Sequence, residues 1–118
     1  MDRLAAIQVR LRQFSAEREW EQFHDPKNLS MTIASEAGEL LAELRWVAGD
    51  ASDEHVRSAP AREKIEHEVA DIAIALLLFC ERAKIDLLDA IDRKIGLNAH
   101  RYPVELAKGH PDRPASSD

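Results

Sequence analysis

Cysteine, glycine and β-type segments are scarce in this chain of 118 residues, and each shortage excludes a class of protein. The single cysteine, Cys80, cannot form an internal disulfide, which excludes a disulfide-stapled fold. Four glycines and no alternating runs of Val, Ile and Tyr give no support for strands. The longest apolar run, residues 72–80, is far shorter than the ~20 residues of a membrane span. The first residues also lack a signal-peptide pattern. We therefore expect a helical protein of the cytoplasm that has no membrane partner.

The charge balance narrows the range of partners. A net charge of −6 argues against binding of a nucleic-acid polymer, whose backbone would be repelled. It does not exclude a single nucleotide, because a metal ion could carry the phosphates. The apolar content of 45% is ordinary for a globular chain. We expect one domain over residues 1–108 and a disordered tail over residues 109–118.

Hydrophobic periodicity predicts four helices. The first covers residues 2–23, and the second starts at Asp25 and Pro26, a cap followed by proline, and runs to residue 47. A polar loop over residues 49–60 leads to the third helix, which continues to residue 83. Asp86 caps the fourth helix, which Pro103 ends.

Two short acidic motifs stand in apolar surroundings. Glu36 and Glu39 lie in the second helix, and Glu68 and Asp71 lie in the third. Carboxylates three residues apart share a helix face. Glu39 precedes the connecting loop by about as many residues as Asp71 follows it, so both lie ~14 Å from the loop at 1.5 Å per residue. Antiparallel packing of these helices would bring the motifs level.

Four carboxylates at one level could hold a divalent cation. An oxygen-only donor set suits Mg²⁺ or Mn²⁺, whereas zinc favours His or Cys ligands. Di-iron bundles require Glu-x-x-His on two helices, a spacing found here only at Glu21 and His24. Because Mg²⁺ completes its shell with phosphate oxygens, a nucleoside triphosphate or a similar polyphosphate is the expected substrate. The alternative is that both motifs are solvated helix faces.

Two further groups of residues have the chemistry to hold a nucleotide. Lys94, Asn98 and Arg101 share one face of the fourth helix and could contact phosphate or sugar, or form a solvated basic helix end. Trp20 and Phe23 at the first helix junction could line a base pocket or belong to the core. Trp46 could line a base pocket or close the end of the bundle. Glu43 is a spare ligand, a base or a surface acid.

These motifs together resemble the MazG-like family of all-α nucleoside triphosphate pyrophosphohydrolases, and within it the dCTP pyrophosphatase type. The similarity covers residues 7–109. It rests on six blocks in order: residues 17–24, 26–29, 36–40 with Trp46, 68–71, 85–87, and the C-terminal series Lys94, Asn98, Arg101, Tyr102, Pro103, Lys108 and Gly109.

The resemblance implies a four-helix MazG-like bundle that assembles as a dimer or a dimer of dimers. It implies that a (d)NTP, with dCTP or related pyrimidine nucleotides first, is cleaved between the α and β phosphates in nucleotide-pool cleansing. It also implies roles for particular residues. The Mg²⁺ ligands are Glu36, Glu39, Glu68 and Asp71; Lys94, Asn98, Arg101 and Tyr102 contact phosphate or sugar; Trp20, His24, Asn28 and Trp46 surround the base.

Two other functions stay open at the level of sequence. One is a related all-α pyrophosphohydrolase acting on dUTP or phosphoribosyl-ATP. The other is a helical interaction module without turnover. The dCTP-specific type often carries a tyrosine where this chain has Ala75, and its basic, Tyr-containing ending is absent here, so the base and sugar preference are open as well.

Overall fold

The computed structural model describes residues 1–112, and this part of the chain contains α-helices and no strand. The helices are α1 (Arg3–Glu17), α2 (Pro26–Leu44), α3 (Ser52–Arg57), α4 (Ala61–Ala83), α5 (Leu87–Arg101) and α6 (Val104–Ala107). Single 3₁₀ turns precede α2 and α3, at Glu21–Phe23 and Gly49–Ala51. The all-α prediction is confirmed.

Aspartate side chains start the three helices α1, α2 and α5. Asp2 accepts from the Ala5 N–H at 2.8 Å, and Asp25 accepts from the Asn28 N–H at 2.8 Å. Asp86 does the same for its own helix. Such caps satisfy N–H groups that have no partner within the helix. The predicted caps at Asp25 and Asp86 are thereby confirmed.

Three predicted boundaries are wrong. The first helix ends at Glu17 rather than at residue 23, because the backbone turns at Glu19 with a φ of 55° and a right-handed helix cannot continue through that conformation. The second helix ends at Leu44, three residues early. The predicted polar loop over residues 49–60 contains the short helix α3, so there are two short helices, α3 and α6, beside the four long ones.

The chain divides into two compact units, Met1–Lys84 and a second that begins at Ile85. In the first unit, α2, α3 and α1 all pack against α4. Leu29, Ile65, Ala75 and Cys80 are its buried apolar side chains. The predicted boundary at residue 108 stays a prediction, and residues 113–118 of the predicted tail lie outside the described residues.

Helix α4 carries the long apolar run foreseen in the sequence. Cys80 is buried there as expected, and burial raises the pKa of its thiol. Val69 and Ile74, by contrast, keep 51% and 39% of their surface exposed, so this helix is not covered on all sides within one chain. Over residues 1–112, no helix has both the length and the apolarity that crossing a membrane requires.

Candidate metal and nucleotide site

The acidic motifs face each other across the packed pair α2 and α4. Because the helices run antiparallel, each step of three or four residues along α2 is matched by an equal step back along α4. Three successive levels carry Glu36 and Asp71, then Glu39 and Glu68, then Glu43 and Lys64. The third level is a direct ion pair, with Lys64 Nζ 2.9 Å from Glu43 Oε1. This register brings the two motifs level, as the loop length predicted.

Three carboxylates form the compact part of the site. Glu36, Glu39 and Glu68 each offer one oxygen, and these oxygens all lie within 4.8 Å of one another. Asp71 is not in this group, but it lies beside the same cavity as Glu36. After burial and Glu39, the charge of Asp71 also contributes to the raised pKa of both Glu36 and Glu68. The structure thus brings three predicted ligands together and sets the fourth next to them.

Two oxygens of this cluster lack a partner. The Oε2 atoms of Glu36 and Glu68 are buried and receive no hydrogen bond from any described residue. Burial raises the pKa of the Glu36 carboxyl, and the neighbouring Glu39 raises it further. Burial likewise raises the pKa of Glu68, again followed by the effect of Glu39. Both shifts mean that the charged form is destabilised while no cation is bound.

The donor set fits a hard divalent cation. Its converging atoms are carboxylate oxygens, which Mg²⁺ and Mn²⁺ prefer. A cation there would give the two buried oxygens the partner that they lack and would cancel the mutual repulsion of the carboxylates. The residues present therefore fit the predicted metal.

Glu43 forms an ion pair with a lysine of the same chain. Its side chain is only 22% exposed and pairs with Lys64. The Glu43 carboxylate raises the pKa of Lys64, and Glu68 and Glu39 add to this effect. Of the three roles open in the sequence, this pairing disfavours the free base, since the carboxylate is already engaged.

A cavity of about 180 Å³ opens beside the carboxylates. Glu36 and Asp71 line one part of it, and Phe23, His24 and Asn28 line another. Ala75, buried in α4, contributes a small side chain to the wall. Two of the residues predicted to surround a base, His24 and Asn28, therefore share a cavity with two predicted metal ligands.

The side-chain amide of Asn28 is hydrogen-bonded to other groups of the chain. Its Nδ2 donates to the Phe23 carbonyl at 3.2 Å and to Asp25 Oδ2 at 3.0 Å. Asn28 therefore shapes the cavity through the backbone next to it. A contact of its side chain with a base stays a prediction.

Neither tryptophan lines this cavity. Trp20 packs edge-on against Phe14 with ring centroids 5.7 Å apart and keeps 44% of its surface exposed. Trp46, beyond the end of α2, is 87% exposed, with the Arg45 guanidinium 5.6 Å from its ring centre. Their predicted role around a base is untested.

The predicted phosphate-contacting residues belong to the second unit. Lys94, Asn98 and Arg101 lie on α5, and Tyr102 caps its C-terminus by donating its N–H to the Asn98 carbonyl at 2.8 Å. Their one-face spacing on a helix is as predicted. Their contact with phosphate or sugar remains a prediction.

Sequence reasoning missed Lys64 and Arg82. Lys64 precedes Glu68 by one helical turn, so its spacing could have revealed it. Arg82 hydrogen-bonds to backbone carbonyls that precede it by about sixty positions. No local pattern indicates such a contact.

Comparison with known proteins agrees with this geometry. The chain is 37% identical over 97 residues to dCTP pyrophosphatase 1 of Bos taurus, which covers 82% of this chain and 57% of the relative. It is 35% identical over 96 residues to the protein of that name from Homo sapiens, covering 81% of this chain and 56% of the relative. The chain thus spans a little over half the length of these curated relatives. No family model matches.

A solved structure matches the chain over a larger share of both proteins. The crystal structure of a pyrophosphatase from Archaeoglobus fulgidus superimposes with a TM-score of 0.82 at 33% sequence identity, covering 87% of this chain and 94% of the other. Fold, length and sequence therefore agree over nearly the whole of that protein. The chain belongs to the MazG-like pyrophosphohydrolase family.

Proposed function

We propose that this chain is a Mg²⁺-dependent pyrophosphohydrolase that cleaves a nucleoside triphosphate between its α and β phosphates. The products are the monophosphate and pyrophosphate, and dCTP or a related pyrimidine nucleotide is the expected substrate. One observation carries the proposal: the three glutamates leave two buried oxygens without a partner beside a cavity that extends to His24 and Asn28. The relatives named dCTP pyrophosphatase support the substrate class.

Each group of residues has a defined task in this reaction. Glu36, Glu39 and Glu68 would hold Mg²⁺, with Asp71 as the neighbouring ligand, and Mn²⁺ could substitute. A cation bound there supplies positive charge to the phosphate chain and polarises the bond to be broken. Lys94 and Arg101 would neutralise the charge that builds on the departing pyrophosphate. Asn98 and Tyr102 would contact phosphate or sugar.

The base would occupy the aromatic side of the site. His24 lines the cavity. Trp20 and Trp46 remain predicted partners of the base, although neither of them lines this cavity in one chain. Ala75 lines the cavity where the dCTP-specific type often has a tyrosine, so the choice among pyrimidine bases is left to the nucleotide panel. Placing the base at this end sets the α-phosphorus near the carboxylates.

We also propose that the enzyme works as a homo-oligomer in the nucleotide-pool cleansing role, a dimer or a dimer of dimers, in the cytoplasm. Large apolar side chains on both packed helices stay open within one chain: Met31 is 54% exposed, Leu41 62% and Val69 51%. A second copy could cover these surfaces, because association buries apolar area.

A nucleotide panel tests the reaction. Each deoxynucleoside triphosphate, dUTP and phosphoribosyl-ATP are incubated with the protein and Mg²⁺, and phosphorus NMR identifies the products. We expect intact pyrophosphate and the monophosphate, with dCTP or a related pyrimidine fastest. The Glu39→Gln variant and wild type in excess EDTA serve as controls without turnover. Release of the γ-phosphate would contradict the mechanism, and a fully inactive wild type would favour the interaction-module alternative.

A further inference from the structure

The backbone between α1 and α2 is hydrogen-bonded to a side chain in the last turn of α4. Arg82 Nη1 donates to the carbonyl oxygens of Glu21, at 3.0 Å, and His24, at 3.1 Å. The segment that it binds, residues 20–25, contains only the single 3₁₀ turn Glu21–Phe23 as regular structure. Some of its carbonyls therefore need donor partners from elsewhere.

A second side chain fastens the same segment. Asn28 donates from α2 to the Phe23 carbonyl at 3.2 Å. The carbonyls of Glu21, Phe23 and His24 each accept from a side chain outside the segment. Such bonds replace solvent at a stretch of irregular backbone and reduce its local opening. Of the two anchors, Arg82 alone comes from α4, the helix that carries Glu68 and Asp71.

Residues of this segment line two cavities. One is the 180 Å³ cavity shared with Glu36 and Asp71. The other, of about 510 Å³, lies against Arg82, Arg12 and Gln22. His24 and Leu78 line both. Residues 20–25 thus contribute to the wall of the cavity proposed to receive the nucleotide, and Arg82 binds this wall segment while lining the 510 Å³ cavity.

We propose that Arg82 is a positioning residue for substrate recognition. By binding two carbonyls of the wall, it fixes Phe23 and His24 relative to the carboxylates on its own helix. The inference rests on the proposed function, since the cavity must receive the nucleotide. Arginine suits the task because its planar guanidinium offers several N–H donors in a fixed geometry, which lysine does not.

A matched pair of arginine variants tests this role. Arg82→Gln removes the anchor, whereas Arg12→Gln changes an arginine that lines the same 510 Å³ cavity but pairs with Glu81 at 3.1 Å. For Arg82→Gln we expect the KM for the nucleotide to rise about tenfold while kcat stays within about threefold, since misplacement of binding groups weakens recognition. The Mg²⁺ affinity without nucleotide should not change. Arg12→Gln should keep the wild-type KM.

Hydrogen exchange gives a readout that does not need turnover. The Phe23 and His24 N–H groups bond within the segment, and their exchange should accelerate about tenfold in Arg82→Gln and less in Arg82→Lys. Equal exchange and equal KM in the Arg82 and Arg12 variants would overturn the proposal. A rise in KM that comes with lost Mg²⁺ binding would overturn it as well, because Arg82 would then be a general structural residue. If wild type hydrolyses no nucleotide but the exchange result holds, the proposed function fails and the anchor stands.

Discussion

Two regions of the site differ in how their polar atoms find partners. One is the acid face, formed by Glu36 and Glu39 on α2 and by Glu68 and Asp71 on α4, and the other is the wall segment, residues 20–25. The acid face brings three carboxylate oxygens within 4.8 Å of one another, and two of its glutamate oxygens are buried without a partner. The wall segment has irregular backbone, yet its carbonyls are bound by Arg82 and Asn28. The acid face thus has regular helical backbone but side-chain oxygens without partners. The wall segment has irregular backbone, but its carbonyls have side-chain partners.

The difference indicates which part of the site needs a ligand. Clustered carboxylates repel one another unless a cation binds between them, so the acid face needs a bound cation to balance its charge. The wall segment is complete in the protein alone and can present a fixed surface to a base. Changes on the acid face should therefore affect metal binding and turnover, while changes in the wall should affect recognition and stability.

The largest effect is expected from Glu68→Gln. This substitution keeps the size of the side chain but removes the charge that a cation needs, so turnover should fall by about 100-fold or more. The metal-free protein should melt no lower than wild type, because repulsion with Glu39 is relieved. Steady-state kinetics and thermal unfolding in EDTA check both results. Near wild-type turnover would remove Glu68 from the ligand set.

The cap of α2 distinguishes stability from recognition. Asp25→Ala removes the acceptor for the Asn28 N–H and should cost about 1 kcal/mol of unfolding free energy. Asp2→Ala removes the matching cap of α1 and should cost about the same. Only the Asp25 variant should also raise the KM for the nucleotide, because Asp25 Oδ2 orients the Asn28 amide. Urea unfolding and kinetics of both proteins decide this, and equal KM values would argue against the difference drawn between the regions.

A smaller effect is expected from Lys64→Gln. Lys64 adds positive charge next to Glu39 and Glu68, so its loss should tighten Mg²⁺ binding about threefold at low salt. Arg62→Gln is the control, because Arg62 pairs with Glu66 at 2.7 Å on the exposed side of the same helix. Calorimetric titration measures both. Weaker Mg²⁺ binding in the Lys64 variant would show that the lysine does not act through its charge.

The smallest effect concerns the start of the wall. Glu19 adopts a positive φ of 55°, a conformation that glycine takes without the steric cost paid by other residues. Glu19→Gly should therefore stabilise the protein by about 0.5 kcal/mol. Glu17→Gly, in the last turn of α1, should destabilise it by up to about 1 kcal/mol. Denaturant unfolding compares the two variants. A loss of stability in both would contradict the claim that the positive φ of Glu19 costs stability.

The acid face could be predicted because it depends on helix periodicity and loop length. Glu36 and Glu39 share a face by spacing, and similar distances from the loop bring Glu68 level with them. The wall could not be predicted in the same way. The sequence predicts a first helix that runs to residue 23. Nothing in the local sequence indicates that Glu19 turns the chain or that Arg82 binds carbonyls far away in sequence. Long-range side-chain to backbone contacts leave no periodic signal.

The roles of individual side chains were predicted less well than their places. His24 and Asn28 lie in the expected cavity, but the Asn28 amide is committed to Phe23 and Asp25. The sequence left Glu43 with three roles, and its pairing with Lys64 emerged only from the packing of α2 on α4. A residue type limits the chemistry, whereas its neighbours in space decide which use is made of it.

Titration of the metal-free protein with Mg²⁺, followed by calorimetry and thermal unfolding, tests the central claim most directly. The account predicts saturable binding without nucleotide and a melting temperature raised by several degrees, since a ligand at about 100 times its Kd stabilises by ~2.7 kcal/mol. Both effects should be lost in Glu39→Gln, which removes the carboxylate next to both Glu36 and Glu68. Absence of binding by Mg²⁺ and Mn²⁺, or unchanged affinity in Glu39→Gln, would contradict the claim that these glutamates form a cation site.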